Sequence, residues 1–105
     1  DMVLSYILFH EVPVPKMAEI LAETFRILRP GGVFSIFEFP NDMGQVPPGY
    51  RFMIDNDSRD NCEPYSPGFV ASDFKGMLEE AGFVVEPGPA VSNKFLQSLV
   101  ATKPA

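Results

Sequence analysis

The sequence holds one histidine, His10, and a carboxylate, Glu11, follows it directly. Both come just after the apolar run Met2–Phe9 (M-V-L-S-Y-I-L-F). A further carboxylate, Glu38, interrupts a second apolar run, Val33–Phe39 (V-F-S-I-F-E-F). A histidine near carboxylates can hold and move a proton at neutral pH. The residue types alone leave the roles open. His10 either ends a strand and caps the next turn, or faces a substrate. Glu11 is either a charge at a helix entry or a base. Glu38 is either at the rim of its strand or functional, because a carboxylate is costly to bury inside an apolar strand. No metal is expected, since His10 has no second histidine or cysteine cluster beside it.

Other polar clusters carry less chemistry. Asp55–Asp60 (D-N-D-S-R-D) has the look of a calcium loop but lacks its glycine at the sixth position and the distant bidentate Glu. Cys62 has no activating neighbour beyond Arg59 and reads as an inert thiol. Around it, Glu63 and Tyr65 belong to a proline-rich stretch. Tyr65 or Phe69 can stack on a substrate or plug the core. Gly31-Gly32 follows a helix and precedes a strand, the reverse of a phosphate-cradling loop.

The elements that must position these groups follow from periodicity. Met2–Phe9 and Val33–Phe39 are short and continuously apolar, as in strands of a parallel sheet buried on both faces. Between them Pro15 suits a first helical turn. Met17, Ile20, Leu21, Thr24 and Leu28 then make one apolar face, with Lys16, Glu19, Glu23 and Arg26 opposite. Pro30-Gly31-Gly32 stops that helix. Strand, helix and strand make one right-handed βαβ unit. From Pro40 to Val70, five prolines (Pro40, Pro47, Pro48, Pro64 and Pro67) exclude a long regular element. A functional lid or a disordered segment is expected there, with a short helix within Pro48–Asp57. A second amphipathic helix follows, with Ser72 as N-cap, Phe74, Met77, Leu78 and Ala81 buried, and Gly82 just past its end. Gly76 weakens it by roughly 1 kcal/mol. Phe83–Glu86 and Lys94–Thr102 are strands around a Pro87-Gly88-Pro89 turn, close enough to pair antiparallel.

Composition narrows the function classes. The chain has 105 residues, enough for one domain, with 46% apolar and 21% charged residues. Its net charge of −6 argues against a nucleic-acid backbone or an anionic membrane as partner. The single cysteine cannot form an internal disulfide, which implies a reducing, cytoplasmic compartment. No apolar run approaches the roughly 20 residues that span a bilayer. No signal peptide is expected, because the opening run at Asp1 carries no basic segment ahead of it.

Three segments resemble the C-terminal half of class I S-adenosylmethionine-dependent methyltransferases. Asp1–Glu11 is similar to the family's fourth strand and the loop leaving it. Glu23–Gly32 (E-T-F-R-I-L-R-P-G-G) is similar to its E-x-x-R-V-L-[RK]-P-G-G segment. Phe74–Phe83 (F-K-G-M-L-E-E-A-G-F) is similar to its F-x-x-x-L-x-x-A-G-F segment. The resemblance implies an α/β fold, the C-terminal half of a Rossmann-like domain: a βαβ unit, then a helix and an antiparallel strand pair. Residues 1–105 would be a partial domain, with 40–70 as lid or substrate-side insertion. The cofactor of the complete enzyme would be S-adenosylmethionine. Ser5 and Tyr6, largely through backbone groups, and Phe9 would lie on the cofactor side, with His10 near the transferred methyl as catalytic residue. Glu11, Glu38, Glu63 and Tyr65 would face a small-molecule acceptor.

The family's glycine-rich loop and its ribose-binding acidic residue have no counterpart here, so the 105 residues are expected to be inactive alone. With no charge, proline or glycine between Asp1 and His10, the first strand, if it is a sheet edge, invites pairing with a second copy of the chain. The alternative expectation is a non-catalytic binding or dimerisation module with the same fold. An ordinary nucleotide-binding α/β domain fits less well, because no phosphate loop occurs.

Overall fold

The computed structural model describes residues 1–41, 49–60, 64–86 and 97–105. Strand β1 spans Met2–Tyr6, a 3-10 turn spans Phe9–Glu11, and helix α1 spans Val14–Ile27. Strand β2 is Val33–Glu38. Helices α2 (Tyr50–Asp60), α3 (Ser66–Ala71) and α4 (Phe74–Glu80) follow, then strands β3 (Val84–Val85) and β4 (Gln97–Thr102).

The four strands form one sheet in the order β1-β2-β4-β3. β1 runs parallel to β2, with Met2 opposite Val33 and Tyr6 opposite Phe37. β4 inserts between β2 and β3 and is antiparallel to both. The antiparallel pairing of the last two strands matches the sequence expectation. The chain also returns β4 alongside β2, with Glu38 opposite Gln97.

One face of the sheet builds the core. Phe34, Ile36, Leu99 and Ala101 are buried there against Met17 and Leu21 of α1 and Phe74 and Leu78 of α4. Aromatic edges lock the layers: Phe9 meets Phe34 at 6.3 Å and Phe74 at 4.9 Å, and Phe83 meets Phe25 at 5.1 Å. Gly82 sits at φ +111, and a side chain there would run into the Phe25 ring at 2.7 Å, so both backbone and space demand glycine. The C-terminus of α1 is closed from afar. Lys103 Nζ donates to the carbonyls of Phe25 and Leu28 at 2.7 and 2.8 Å, placing a cation where the helix dipole is negative.

The other face differs from the expectation of strands buried on both sides. Met2, Leu4 and Tyr6 of β1, Val100 of β4 and Val84 of β3 are exposed. By register they share a face with Val33, Ser35 and Phe37. All ten face positions in register, Ser98 and Thr102 included, are uncharged.

Four local expectations are corrected. β1 ends at Tyr6 rather than Phe9, because Ile7 takes φ +53, outside any strand geometry. The N-cap of α4 is Asp73, whose Oδ1 accepts from Gly76 N–H at 3.1 Å. Ser72 instead ends α3, its hydroxyl donating to Phe69 O at 2.6 Å. And residues 66–71 are helical in spite of Pro67, which lies in the first turn where no intrahelical N–H is needed. α2 also runs to Asp60, longer than expected. The Pro87-Gly88-Pro89 turn and residues 94–96 of the last strand lie outside the described residues.

Candidate functional site

The parallel strands β1 and β2 end side by side, and polar residues gather at their carboxyl ends. Glu38 is the last residue of β2. Strand alternation turns it to the core face with Phe34 and Ile36, and it is 0% exposed. A carboxylate in such a place needs donors, and it has them. Oε2 accepts from Phe9 N–H at 2.7 Å. Oε1 accepts from Phe39 N–H at 3.1 Å and lies 2.7 Å from His10 Nδ1.

His10 completes the group. The 3-10 turn carries it under β2, where it is 4% exposed and its ring lies 4.2 Å from that of Phe39. Because both Glu38 oxygens accept, the shared proton belongs on Nδ1, which leaves Nε2 as the basic nitrogen. Nε2 lies 3.9 Å from Oε1 of the exposed Glu11.

Tyr50 and Asn41 belong to the same end of the sheet. Tyr50, at the start of α2, is buried, and its ring meets Phe39 edge-on at 6.4 Å. Burial, and then the negative charge of Glu38, push the Tyr50 hydroxyl above its ordinary value of 10.0. Asn41 lies three residues beyond Glu38. Its Nδ2 donates to the carbonyls of Phe69, Val70 and Ser72 at 2.8, 3.2 and 3.1 Å. Its Oδ1 accepts from Gln97 Nε2 at 2.7 Å, and the same Gln97 amide also donates to Phe39 O at 2.7 Å. This clasp ties the end of β2 to α3 and to the start of β4. Beside it a cavity of about 140 Å³ is lined by Asn41, Ser72, Phe74, Gln97 and neighbouring side chains. A larger groove of about 320 Å³ between α1 and α4 contains none of the strand-end residues.

The residues singled out from sequence therefore fall in different places. His10 and Glu38 meet. Ser5 is buried at the end of β1, and among the described residues its Oγ has no hydrogen-bond partner. Tyr6 lies on the open face of the sheet, 6.2 Å from Phe37. The side chain of Phe9 is core, while its N–H serves Glu38. Glu11 is exposed beside the pair. Tyr65 is 44% exposed at the head of α3, whereas Phe69 packs on Phe74 in the core. Glu63 and Cys62 lie outside the described residues. Sequence reasoning passed over Tyr50 and Gln97. Gln97 had a readable signal, as a long amide inside the apolar run ending in Leu99–Ala101. Tyr50 had none. Among the described residues, no three His, Cys, Asp or Glu side chains cluster as a metal site.

The fold and this strand-end site define a mixed α/β domain with a four-stranded sheet and a buried histidine–glutamate pair at the end of its parallel strands. Two solved structures share the fold. One, from Bordetella parapertussis, is described as a possible exported protein; it superposes with a TM-score of 0.67 at 19% identity, over 100% of this chain and 39% of that one. The other is a candidate O-methyltransferase from Nostoc punctiforme, with a TM-score of 0.68 at 18% identity, over 98% of this chain and 31% of that one. This chain thus spans less than two fifths of the length of either. No protein-family model matches the chain, and no curated protein sequence matches it. Among the described residues, no helix is long and apolar enough to cross a membrane.

Proposed function

We propose that this chain is the C-terminal part of a Rossmann-like, S-adenosylmethionine-dependent methyltransferase domain that acts on a small-molecule acceptor in the cytoplasm. The observation that carries the reading is the His10–Glu38 pair, placed where ligands of α/β sheets collect, at the ends of adjacent parallel strands. The fold shared with a candidate O-methyltransferase supports it.

In this reading S-adenosylmethionine supplies an electrophilic methyl group. Ser5 and the backbone of Tyr6 hold its near side, and the unpartnered, buried Ser5 hydroxyl fits a polar group of such a ligand. Phe9 fixes the turn from the core. His10 takes the proton of an acceptor hydroxyl at Nε2, while Glu38 holds Nδ1–H and stabilises the charged ring that results. Glu11 and Tyr65 face the acceptor, and α2 and α3 form the wall that shapes its pocket.

The burial of His10 favours a second reading, in which the pair is a structural pin of a non-catalytic module with the same fold. Methyl transfer from labelled S-adenosylmethionine, measured on the polypeptide that contains this sequence against phenolic, amine and carbon acceptors, separates the two. His10→Ala is expected to lower turnover by about 10²–10⁴-fold at matched folded fraction. Equal turnover of variant and parent would remove His10 from the chemistry, and absence of cofactor binding by that polypeptide would remove the function.

A further inference from the structure

At one place the backbone departs from what its residue type prefers, and that place is the entry to the site. Ile7 takes φ +53, and among the described residues no other residue except glycine has a positive φ. A β-branched residue is poorly suited to the left-handed region, because its Cβ crowds the neighbouring carbonyl oxygen. The penalty is about tenfold in the folding equilibrium. Such strain persists only where the surroundings hold it in place.

What the conformation achieves can be read from its neighbours. Ile7 N–H still donates to Phe37 O at 2.7 Å, so the last rung of the sheet is kept. Directly afterwards the chain turns: Leu8 is α-helical at φ −102, and Phe9–Glu11 close a 3-10 turn. The turn delivers Phe9 N–H to Glu38 Oε2 and His10 Nδ1 to Glu38 Oε1, each at 2.7 Å. Had residue 7 remained extended, the strand would have advanced about 3.3 Å per residue and carried His10 on the order of 10 Å further along the strand axis. The two hydrogen bonds from the turn to Glu38, from Phe9 N–H and His10 Nδ1, together with that of Ile7 N–H to Phe37 O, bracket Ile7 on both sides.

We infer that Ile7 is a positioning residue: its left-handed backbone sets His10 against Glu38. The inference deepens the proposed function, since it concerns the same pair, yet the pairing can be read without any methyl transfer. The test replaces Ile7 by Gly, Ala and Pro in the polypeptide that contains this sequence. Urea unfolding is measured for each variant, and the His10 ring nitrogens are followed by ¹H–¹⁵N NMR. Inside a strand, glycine is normally the weaker residue. Here Ile7→Gly is expected to exceed Ile7→Ala by about fivefold in the folding equilibrium, because only glycine adopts this φ without cost. Ile7→Gly should also keep the hydrogen-bonded Nδ1–H resonance. Ile7→Pro, locked near φ −65, should lose that resonance while its helical circular dichroism remains. Alanine equal to or better than glycine would overturn the inference, as would an unchanged His10 resonance in a folded Ile7→Pro. If the proline variant does not fold, the glycine–alanine comparison decides alone. A parent without methyl transfer but with the His10 signal intact would refute the function and leave the role of Ile7 standing.

Discussion

Removing the Glu38 carboxylate should be among the most destabilising single changes in this domain. Three donors converge on it, from Phe9 N–H, Phe39 N–H and His10 Nδ1, and the residue is wholly buried. In Glu38→Ala, the Phe9 amide and the His10 ring lose their acceptor in places water does not reach. Each buried donor left unsatisfied costs about 1–3 kcal/mol. The vacated side-chain volume adds a cavity contribution. The sum is about 4 kcal/mol, against roughly 5–15 kcal/mol for the whole stability of a domain. With a urea slope of about 1–1.5 kcal/mol/M, the midpoint falls by about 3 M. Glu38→Gln should lose about 1–3 kcal/mol, since its NH₂ must face at least one of the donors. His10→Ala should lose less than Glu38→Ala, because the carboxylate then keeps both backbone partners. Equilibrium urea unfolding followed by circular dichroism gives all three values. A Glu38→Ala variant within about 1 kcal/mol of the parent would mean that the carboxylate is not the hub the geometry describes.

Three further outcomes are expected. Asn41→Ala should cost about 2–3 kcal/mol, and Asn41→Asp more, because a carboxylate would face the three carbonyl oxygens that Asn41 Nδ2 now satisfies; hydrogen exchange of α3 should rise in both, and an Asp variant as stable as the parent would refute the clasp. The Tyr50 hydroxyl is raised above 10.0 in the folded state, so stability is unaffected by it below pH 10 and falls from there upward until the raised folded value is passed, because the unfolded chain releases that proton first; Tyr50→Phe should flatten this alkaline fall, and an unchanged slope would refute this. The 105-residue polypeptide alone, 11.6 kDa, should self-associate through the uncharged face bearing Met2, Leu4, Tyr6 and Val100 and the adjoining edge of β1, which pairs with no further strand among the described residues; Leu4→Lys with Tyr6→Lys should return it to the monomer, and a monomeric parent in light scattering would refute the argument.

Much of the scaffold was legible because burial writes itself into periodicity. Met17, Leu21 and Thr24 were placed on the inner face of α1 by spacing alone, and all three are buried. The helix ends were legible where a residue has one physical use, as with Gly82 at φ +111. Where a residue has two uses the reading failed. Ser72 and Asp73 can each cap a helix, and only the packing of α3 against its neighbours shows that Ser72 closes one helix while Asp73 opens the next. Pro67 breaks helices in general but begins this one. The site divides in the same way. His10 stood out as the only histidine, and Glu38 as a carboxylate in an apolar strand. Their bond joins residues 28 apart in sequence and depends on the turn at Ile7, for which the sequence carries no signal.

The apolar run Met2–Leu8 raises a different point, since here sequence and described structure disagree. A strand covered on one face only should alternate, apolar inward and polar outward. β1 does the reverse at its end: Ser5 points to the core with a hydroxyl that has no partner among the described residues, while Leu4 and Tyr6 point to the open face. A single layer of helices does not explain that pattern, because burying Ser5 and exposing Leu4 and Tyr6 both cost free energy in it. The pattern is explained if the open face is a contact surface and the core-side end of β1 is a ligand wall. The first half of that statement is what Leu4→Lys and Tyr6→Lys probe. The second half makes Ser5→Ala informative: filling the same space without the hydroxyl should stabilise the domain, since an unsatisfied buried group is removed. If the Ser5 hydroxyl meets a ligand, the same change should weaken binding of S-adenosylmethionine, the proposed ligand, by the polypeptide that contains this sequence. A variant that is less stable than the parent would show that the hydroxyl has a structural partner, and the ligand wall would then lose its main support.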